Sequence, residues 1–573
     1  VLLTVARFEI GLQRREFLTW LYAAIFFFLC FGYIASGGVE LVNDRGLVPR
    51  DAPWAVAHAM AGVSAFGQLI TAMITATAVM RDDALRTREL LYATPLTRRA
   101  YLGGRLLGAA SVMGLVYLAV PAGLLLGAVA PWSASRGVDL LSAVARPTAL
   151  LLVPNVAVTA TNFFVVGALR QSFMPTLLLG LALIAAWQTG LGLVEAGHLW
   201  SGALVDPFGN AALAATTREW TDAVRATSPI PFSPMLAVNR LAWMAVAGLA
   251  AFTMSRRYRF ALTDRSPRPA GTDRTPRGHE GDPLTRGVHI ATNPGSLGAV
   301  SGAPQQQTAS GWAAFAVDVR WALRWTAREK GFVTLVALAA ANGLLNALGG
   351  EAPAIAENIR VHSRVLLIVL VTIYAGELVW RDRELRVDGL RDPVPLADVG
   401  HVMGRLAGVT LSLVLVALAL ALASCVASFV LNHPFVARTG LLVLANVAGF
   451  VIQLFLLSCF VHALVQHKVA GHVFLLTGWL LAITVDRTVP LSPLLRFADL
   501  RPDWPAERLW WGEAYFFSGA GLASVGAFLL WQRGALDGWR GRLVNARARV
   551  SRRLIATVMT LVAIAVFAAG RFG

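Results

Sequence analysis

The sequence predicts an all-α polytopic membrane protein, two tandem six-span halves followed by one extra C-terminal transmembrane helix, and three observations carry that prediction. First, 56% of its 573 residues are hydrophobic and only 14% are charged, with a mean hydropathy of +0.61. A soluble chain of this length needs more charge to cover its surface. Second, the apolar residues fall into runs close to the length of about 20 that a bilayer-crossing helix requires. Third, the chain repeats itself. RDDALRTRELLYATPLTRRAYLGGRLLG from Arg81 is answered by RDRELRVDGLRDPVPLADVGHVMGRLAG from Arg381, at a constant offset of 300. A self-match at fixed spacing marks a duplicated structural unit.

Residues 1–260 read as the first half. The lead ARFEIGLQRREF sets Phe8, Leu12 and Phe17 against Arg7, Arg14 and Arg15, which suits a helix lying in the cytoplasmic interface. The apolar stretch that begins at Phe17 is too long for a signal-peptide core. Spans are expected near 18–37, 54–80, 105–130, 147–169, 173–194 and 235–254. The outer loop from about Glu195 to Asn239 carries LVDPFGNAAL, TREWTDAV and SPIPFSP; its turn signals and short helical pieces predict a folded cap. Residues 261–312, rich in Pro, Gly, Ser, Thr and Arg, have the composition of a disordered cytoplasmic linker.

Residues 313–535 repeat the plan, opening on RWALRWTAREKGF, where Arg328-Glu329 answers Arg15-Glu16 at offset 313. Spans are expected near 333–348, 364–379, 405–431, 439–465, 469–488 and 514–530. The fourth spans of the halves align at offset 291, so that Asn155 returns as Asn446 and Asn162 is matched by Gln453. Two amides seven residues apart share a helix face. Polar groups at membrane depth turn toward protein or water, so these four either bond between helices or line a translocation path. The last segment, 536–573, is a basic cytoplasmic stretch and then a thirteenth apolar run, Leu554 to Ala569. That run would carry the C-terminus to the outer side.

The formal charge is +17. Its arginines cluster in alternate loops, as expected of cytoplasmic ones, which argues for a lipid bilayer as partner and against nucleic acid. Cys30, Cys425 and Cys459 lie in apolar segments and imply neither disulfides nor a zinc site. There is no phosphate-binding loop of the G-x-x-x-x-G-K-[ST] type, and Lys330 and Lys468 are the only lysines. His462, His467 and His472 have roughly helical spacing but lack nearby Cys or carboxylate partners, so interfacial histidines are expected and no metal. Glu377 precedes Arg381 by four residues, a favourable helix pair. No covalent chemistry is expected of this chain.

The repeated charged loop is too polar for the bilayer and too patterned for a plain connection. Its candidate docking residues for a soluble partner are Arg81, Asp82, Leu85, Arg86, Glu89, Leu90, Leu91 and Pro95, with Arg381, Asp382, Arg386, Leu390 and Pro395 in the second copy. Two classes remain: a permease driven by a separate ATPase, and an ion-coupled secondary transporter. The latter usually places ionisable groups at the membrane midplane, and no acidic residue falls in the middle of an expected span. A membrane anchor for an outer domain is a further reading.

An interfacial helix, a span, an outer loop, a second span and then Glu89, Leu90, Leu91, Thr94, Pro95 and Gly104-Arg105 resemble the coupling-helix region of ABC-2-type transporter permeases. The second copy has Gly389 for Glu89 and Val394 for Thr94. The resemblance implies an ATP-driven permease, an exporter by family analogy, in the bacterial inner membrane with its N-terminus cytoplasmic. It also implies partner ABC ATP-binding subunits, two copies, which would hold the ATP and magnesium. LVDPFGNAAL and the thirteenth span are similar to the membrane part of bacterial permease/zinc-aminopeptidase fusions. The peptidase domain of such fusions lies outside these 573 residues.

Overall fold

In a bilayer every backbone N–H and C=O must find its partner inside the protein, and long apolar runs meet that demand by coiling into helices. The computed structural model describes residues 1–35, 48–84, 87, 90–91, 93–133, 140–171, 173–258, 311–348, 355–385, 398–432, 436–465, 468, 470–472, 474–476, 478–479, 505–531 and 539–572. Among the described residues there is no strand, and twelve helices are long and apolar enough to cross a membrane. The chain is a multi-pass membrane protein.

The lead helix α1 (Leu2–Gln13) precedes the first span, α2 (Phe17–Ala35), and then α3 (Pro53–Ala84). The third span is broken into α4 (Arg98–Tyr117) and α5 (Ala119–Ala128). Pro121 explains the break, because it has no N–H to give the carbonyl of Tyr117. The fourth span passes through α6 (Leu140–Pro147), a π-helical turn at Thr148–Leu152 and α7 (Val153–Arg170), with Pro147 and Pro154 bracketing the irregular turn. The fifth span is α8 (Phe173–Glu195). Three short helices, α9 (Leu199–Val205), α10 (Asn210–Thr216) and α11 (Asp222–Thr227), then form the cap expected between Glu195 and Asn239. The sixth span is α12 (Pro234–Arg257), with Ser233 accepting from the Leu236 amide as its N-cap.

After the linker, most of which lies outside the described residues, come α13 (Gly311–Arg328), α14 (Lys330–Leu348), α15 (Ile355–Glu384), α16 (Asp398–Val430) and α17 (Val436–Leu464). The span expected near 469–488 falls largely outside the described residues. Then follow α18 (Ala506–Leu530), α19 (Trp539–Arg549) and α20 (Arg552–Phe572). Two boundaries depart furthest from expectation. α15 starts at Ile355 rather than near Arg364, because Glu357 and Arg360 pair one turn apart at 2.6 Å and extend the helix beyond its apolar part. α18 starts at Ala506, which brings Glu513 inside a span.

α3 and α15 are the central helices. Every residue from Leu366 to Gly376 of α15 is buried, as a helix apolar all round must be. The largest core cluster joins Leu177, Leu181 and Ile184 of α8 to Leu335 and Ala339 of α14 and to Leu366 and Leu370 of α15. In this way the first set of spans meets the second. α20 leans on α18 through Phe572 against Phe516 and Phe567 against Trp511, with ring centroids 5.9 Å and 5.2 Å apart.

Candidate functional site

The described residues of the repeated loops are organised by two clefts that follow one plan. In the first, Gly104 and Gly108 of α4 lie one turn apart and let α1 approach until a Cβ on either would collide. At Gly104 it would stand 2.6 Å from the Val5 Cβ and 2.8 Å from the Leu2 carbonyl; at Gly108, 2.7 Å from the Glu9 Cβ and 2.9 Å from the Ala6 carbonyl. In the second, Gly404 would meet the Phe315 carbonyl and the Asp318 Cβ at 2.8 and 2.9 Å, and Gly408 would meet the Ala322 Cβ and the Val319 carbonyl, both at 2.6 Å. The contacting residues 2, 5, 6 and 9 become 315, 318, 319 and 322. That is the offset of 313 seen in the lead sequences.

Each cleft buries an arginine near the start of the span that follows its loop. Arg105 donates to both oxygens of Asp82, at 2.6 and 2.7 Å, and pairs with Glu9, which also accepts from Gln13. The Tyr101 hydroxyl donates to Asp82 at 2.7 Å, and Arg81 approaches Glu9 at 3.6 Å. Arg405 likewise donates to Asp382 at 2.7 and 3.1 Å. Position 322 is alanine, however, so the second carboxylate sits one turn earlier, at Asp318, which pairs with His401 at 2.9 Å. His401 occupies the place of Tyr101 at offset 300. Arg405 lies over Trp321 with 4.8 Å to the ring centroid, as Arg105 lies over Phe8 at 5.5 Å.

These pairs tie the end of the span before each loop, the start of the span after it and the lead helix into one unit at the root of each loop. Of the sequence-predicted docking residues, Asp82 is therefore turned inward, and Asp382 is held by Arg405. Arg381 lies over Trp325, 4.2 Å from its centroid. Leu91 packs partly against the buried cluster that contains Tyr101 and Leu102, whereas Leu90 is 72% exposed and Pro95 is exposed too. Leu85, Arg86, Glu89, Arg386, Leu390 and Pro395 lie outside the described residues. Sequence reasoning missed Glu9, Tyr101, Asp318 and His401. The signal was present in Gly104-x-x-x-Gly108 and its repeat, a small-xxx-small pattern that marks close helix approach.

The four amides are not brought together. Asn155, just after the π-helical turn, donates to the Phe208 carbonyl at 3.1 Å and accepts from Arg240. Arg240 also donates to the Pro207 carbonyl at 3.1 Å. Asp206 completes this buried cluster under the cap by accepting the amides of Phe208 and Ala211 at 2.8 and 2.7 Å. Burial pushes the Asp206 carboxyl up to about 6, against the pull of those amides and of Arg240. Asn162 and Asn446 bond carbonyls of their own helices, Val158 and Leu442, at 2.9 and 3.1 Å. Gln453 donates to Glu513 at 2.7 Å. This carboxylate lies within the α18 span, where the sequence reading expected no acid.

An amide contact that joins the two sets of spans was not singled out from the sequence. Asn342 of α14 donates to Gln188 of α8 at 3.3 Å, and Asn346 donates to the Asn342 carbonyl at 2.7 Å. Polar residues inside apolar runs were the available signal. Glu377 takes Lys468 at 2.6 Å rather than the expected Arg381. His462 and His472 are buried with their rings 4.7 Å apart, and His467 lies outside the described residues. Among the described residues no three metal-ligating side chains converge. No protein-family model and no curated protein matches the chain.

Proposed function

We propose that this chain is the membrane-spanning permease of an ATP-driven transporter of the ABC-2 type, two six-span halves worked by separate ATP-binding subunits that dock on the repeated loops. The observation that supports the reading is the doubled cleft. Asp82–Arg105 and Asp382–Arg405, 300 residues apart, each join the two spans that flank a loop, and Glu9–Arg105 and Asp318–His401 tie the lead helix of each copy to them. A loop rooted in such a unit transmits a push to both spans together, which is the mechanical requirement for turning hydrolysis elsewhere into helix movement. Exposed Leu90 at the tip of the first loop supplies the kind of apolar anchor that a groove accepts. The orientation that goes with the reading puts both loops in the bacterial cytoplasm, and the family resemblance implies export.

The test is co-purification of an ABC ATP-binding subunit co-expressed with this chain. Leu90→Ala and Glu89→Arg should release it and uncouple its ATP hydrolysis from transport more severely than Leu390→Ala, because the second copy has Gly389 for the glutamate and Val394 for the threonine. Retention of the ATPase at wild-type level by both first-loop variants, with transport intact, rejects the docking assignment.

One observation favours an ion-coupled transporter instead. Glu513 with Gln453 is a carboxylate–amide pair inside the spans, the kind of group that proton or cation coupling uses. Under that reading the purified chain alone drives gradient-dependent flux in liposomes, and Glu513→Gln abolishes it.

A further inference from the structure

The lead helix of the second region also lines a cleft of its own. A cleft of about 820 Å³ runs along α13 and the end of α15, within the size range of roughly 300–1,000 Å³ typical of small-molecule sites. Its walls present Arg320, Arg324 and Arg328, four residues apart on one helix face, and Arg381 from α15. Between them Trp321 and Trp325 stack at 5.8 Å, with Arg381 seated 4.2 Å from the Trp325 centroid. Among the described residues no carboxylate pairs with Arg320, Arg324 or Arg328. The carboxylate that lines the cleft, Glu329, accepts the Tyr374 hydroxyl at 3.1 Å.

We propose that this cleft binds the headgroup of an anionic phospholipid, with the arginines taking the phosphate and the tryptophans flanking the first part of the acyl chains. Two things choose this occupant over an acidic protein segment. α13 ends one residue before the α14 span begins, so the cleft opens at the membrane surface, where lipid is the abundant anion. Apolar walls alternate with the guanidinium groups, and Val317 beside them is 68% exposed; arginine with tryptophan at this level suits the boundary between headgroup and hydrocarbon. The first copy keeps Arg7, Arg15 and Arg81 for Arg320, Arg328 and Arg381 but lacks the middle arginine and both tryptophans. At offset 313, Gly11 stands for Arg324, Leu12 for Trp325 and Phe8 for Trp321. The site thus belongs to one of the two clefts only, and the inference holds whichever energy source drives the protein.

The experiment places the full chain in phosphatidylcholine nanodiscs doped with a headgroup-photoreactive phosphatidylglycerol, or with a photoreactive phosphatidylcholine, and maps the crosslinks by peptide. Phosphatidylglycerol should label α13 several times more than phosphatidylcholine does. Juxtamembrane arginines attract anionic lipid by about fivefold each, so Arg320→Gln with Arg324→Gln should cut α13 labelling at least about fivefold, and Arg7→Gln with Arg15→Gln should leave it within about twofold. Equal labelling by the two lipids in the wild type overturns the proposal without reference to any variant. So does an equal loss in the α1 variant, which would reduce the effect to general interface charge. Suppression of the label by a soluble polyglutamate peptide at physiological salt also overturns it, and makes the cleft a docking place for an acidic protein segment.

Discussion

The clefts at Arg105 and Arg405 share a backbone plan and differ in how they neutralise the same buried charge. Around Arg105 two carboxylates converge: the Glu9 side chain is fully buried and that of Asp82 is 7% exposed. Around Arg405 one carboxylate remains among the described residues, Asp382, whose side chain is 21% exposed, and the Trp321 indole takes the place of the Phe8 ring. The missing acid reappears one turn along as Asp318, with a histidine of its own. The glycine geometry that brings the helices together is common to both clefts, while the choice of ion pairs varies. Close packing between helices leaves few shapes available, whereas a buried charge can be met by any nearby group of opposite sign or by an aromatic face.

The comparison predicts unequal costs for equal substitutions. Arg105→Ala leaves two buried carboxylates without their cation and should cost about 3–5 kcal/mol. Arg405→Ala leaves one partly solvated carboxylate and should cost about 1–3 kcal/mol. Thermal melting of the purified chain in detergent checks both, and equal losses would break the contrast between the clefts. The glycines should behave oppositely, because their contacts match. Gly108→Ala and Gly408→Ala each force a helix away from a Cβ and a backbone carbonyl, and should cost a similar amount, about 1–3 kcal/mol. A large difference between them would mean that the shared plan is not shared in energy.

A buried acid outside both clefts sharpens the comparison. Asp206 has its carboxyl raised by burial to about 6, so the folded state holds its proton over a range where the unfolded chain has lost it. Stability from this group is present below the unfolded value, about 4, and is lost as pH rises through about 6. Melting temperature should fall across that window in the wild type and not in Asp206→Asn. The smallest effect belongs to Leu90→Ala. A side chain 72% exposed should change stability by no more than about 0.5 kcal/mol, so any loss of a bound ATPase in that variant comes from the docking surface rather than from the fold.

Much of the helical plan was legible along the chain, since hydrophobicity over about twenty residues is a local property. The six spans expected in the first half coincide with helices to within a few residues, apart from the starts of the third and fourth, where the helix begins about two turns earlier, at Arg98 and Leu140. The offsets of 300 and 313, read as letters, reappear as glycine contacts. Partners were not legible in the same way. Glu377 and Arg381 have the spacing of a helix pair, yet Lys468, 91 residues away, takes the carboxylate. The four amides share spacing along their helices, yet one meets an arginine under the cap, one meets Glu513, and two bond their own backbones. A residue's place along a helix is set by its own sequence, but what it faces depends on how each helix is rotated and shifted against its neighbours. Those two quantities are decided jointly by all the packed surfaces, so only the tertiary structure could show that Glu9 and Asp82 share Arg105 while Asp318 turns to His401.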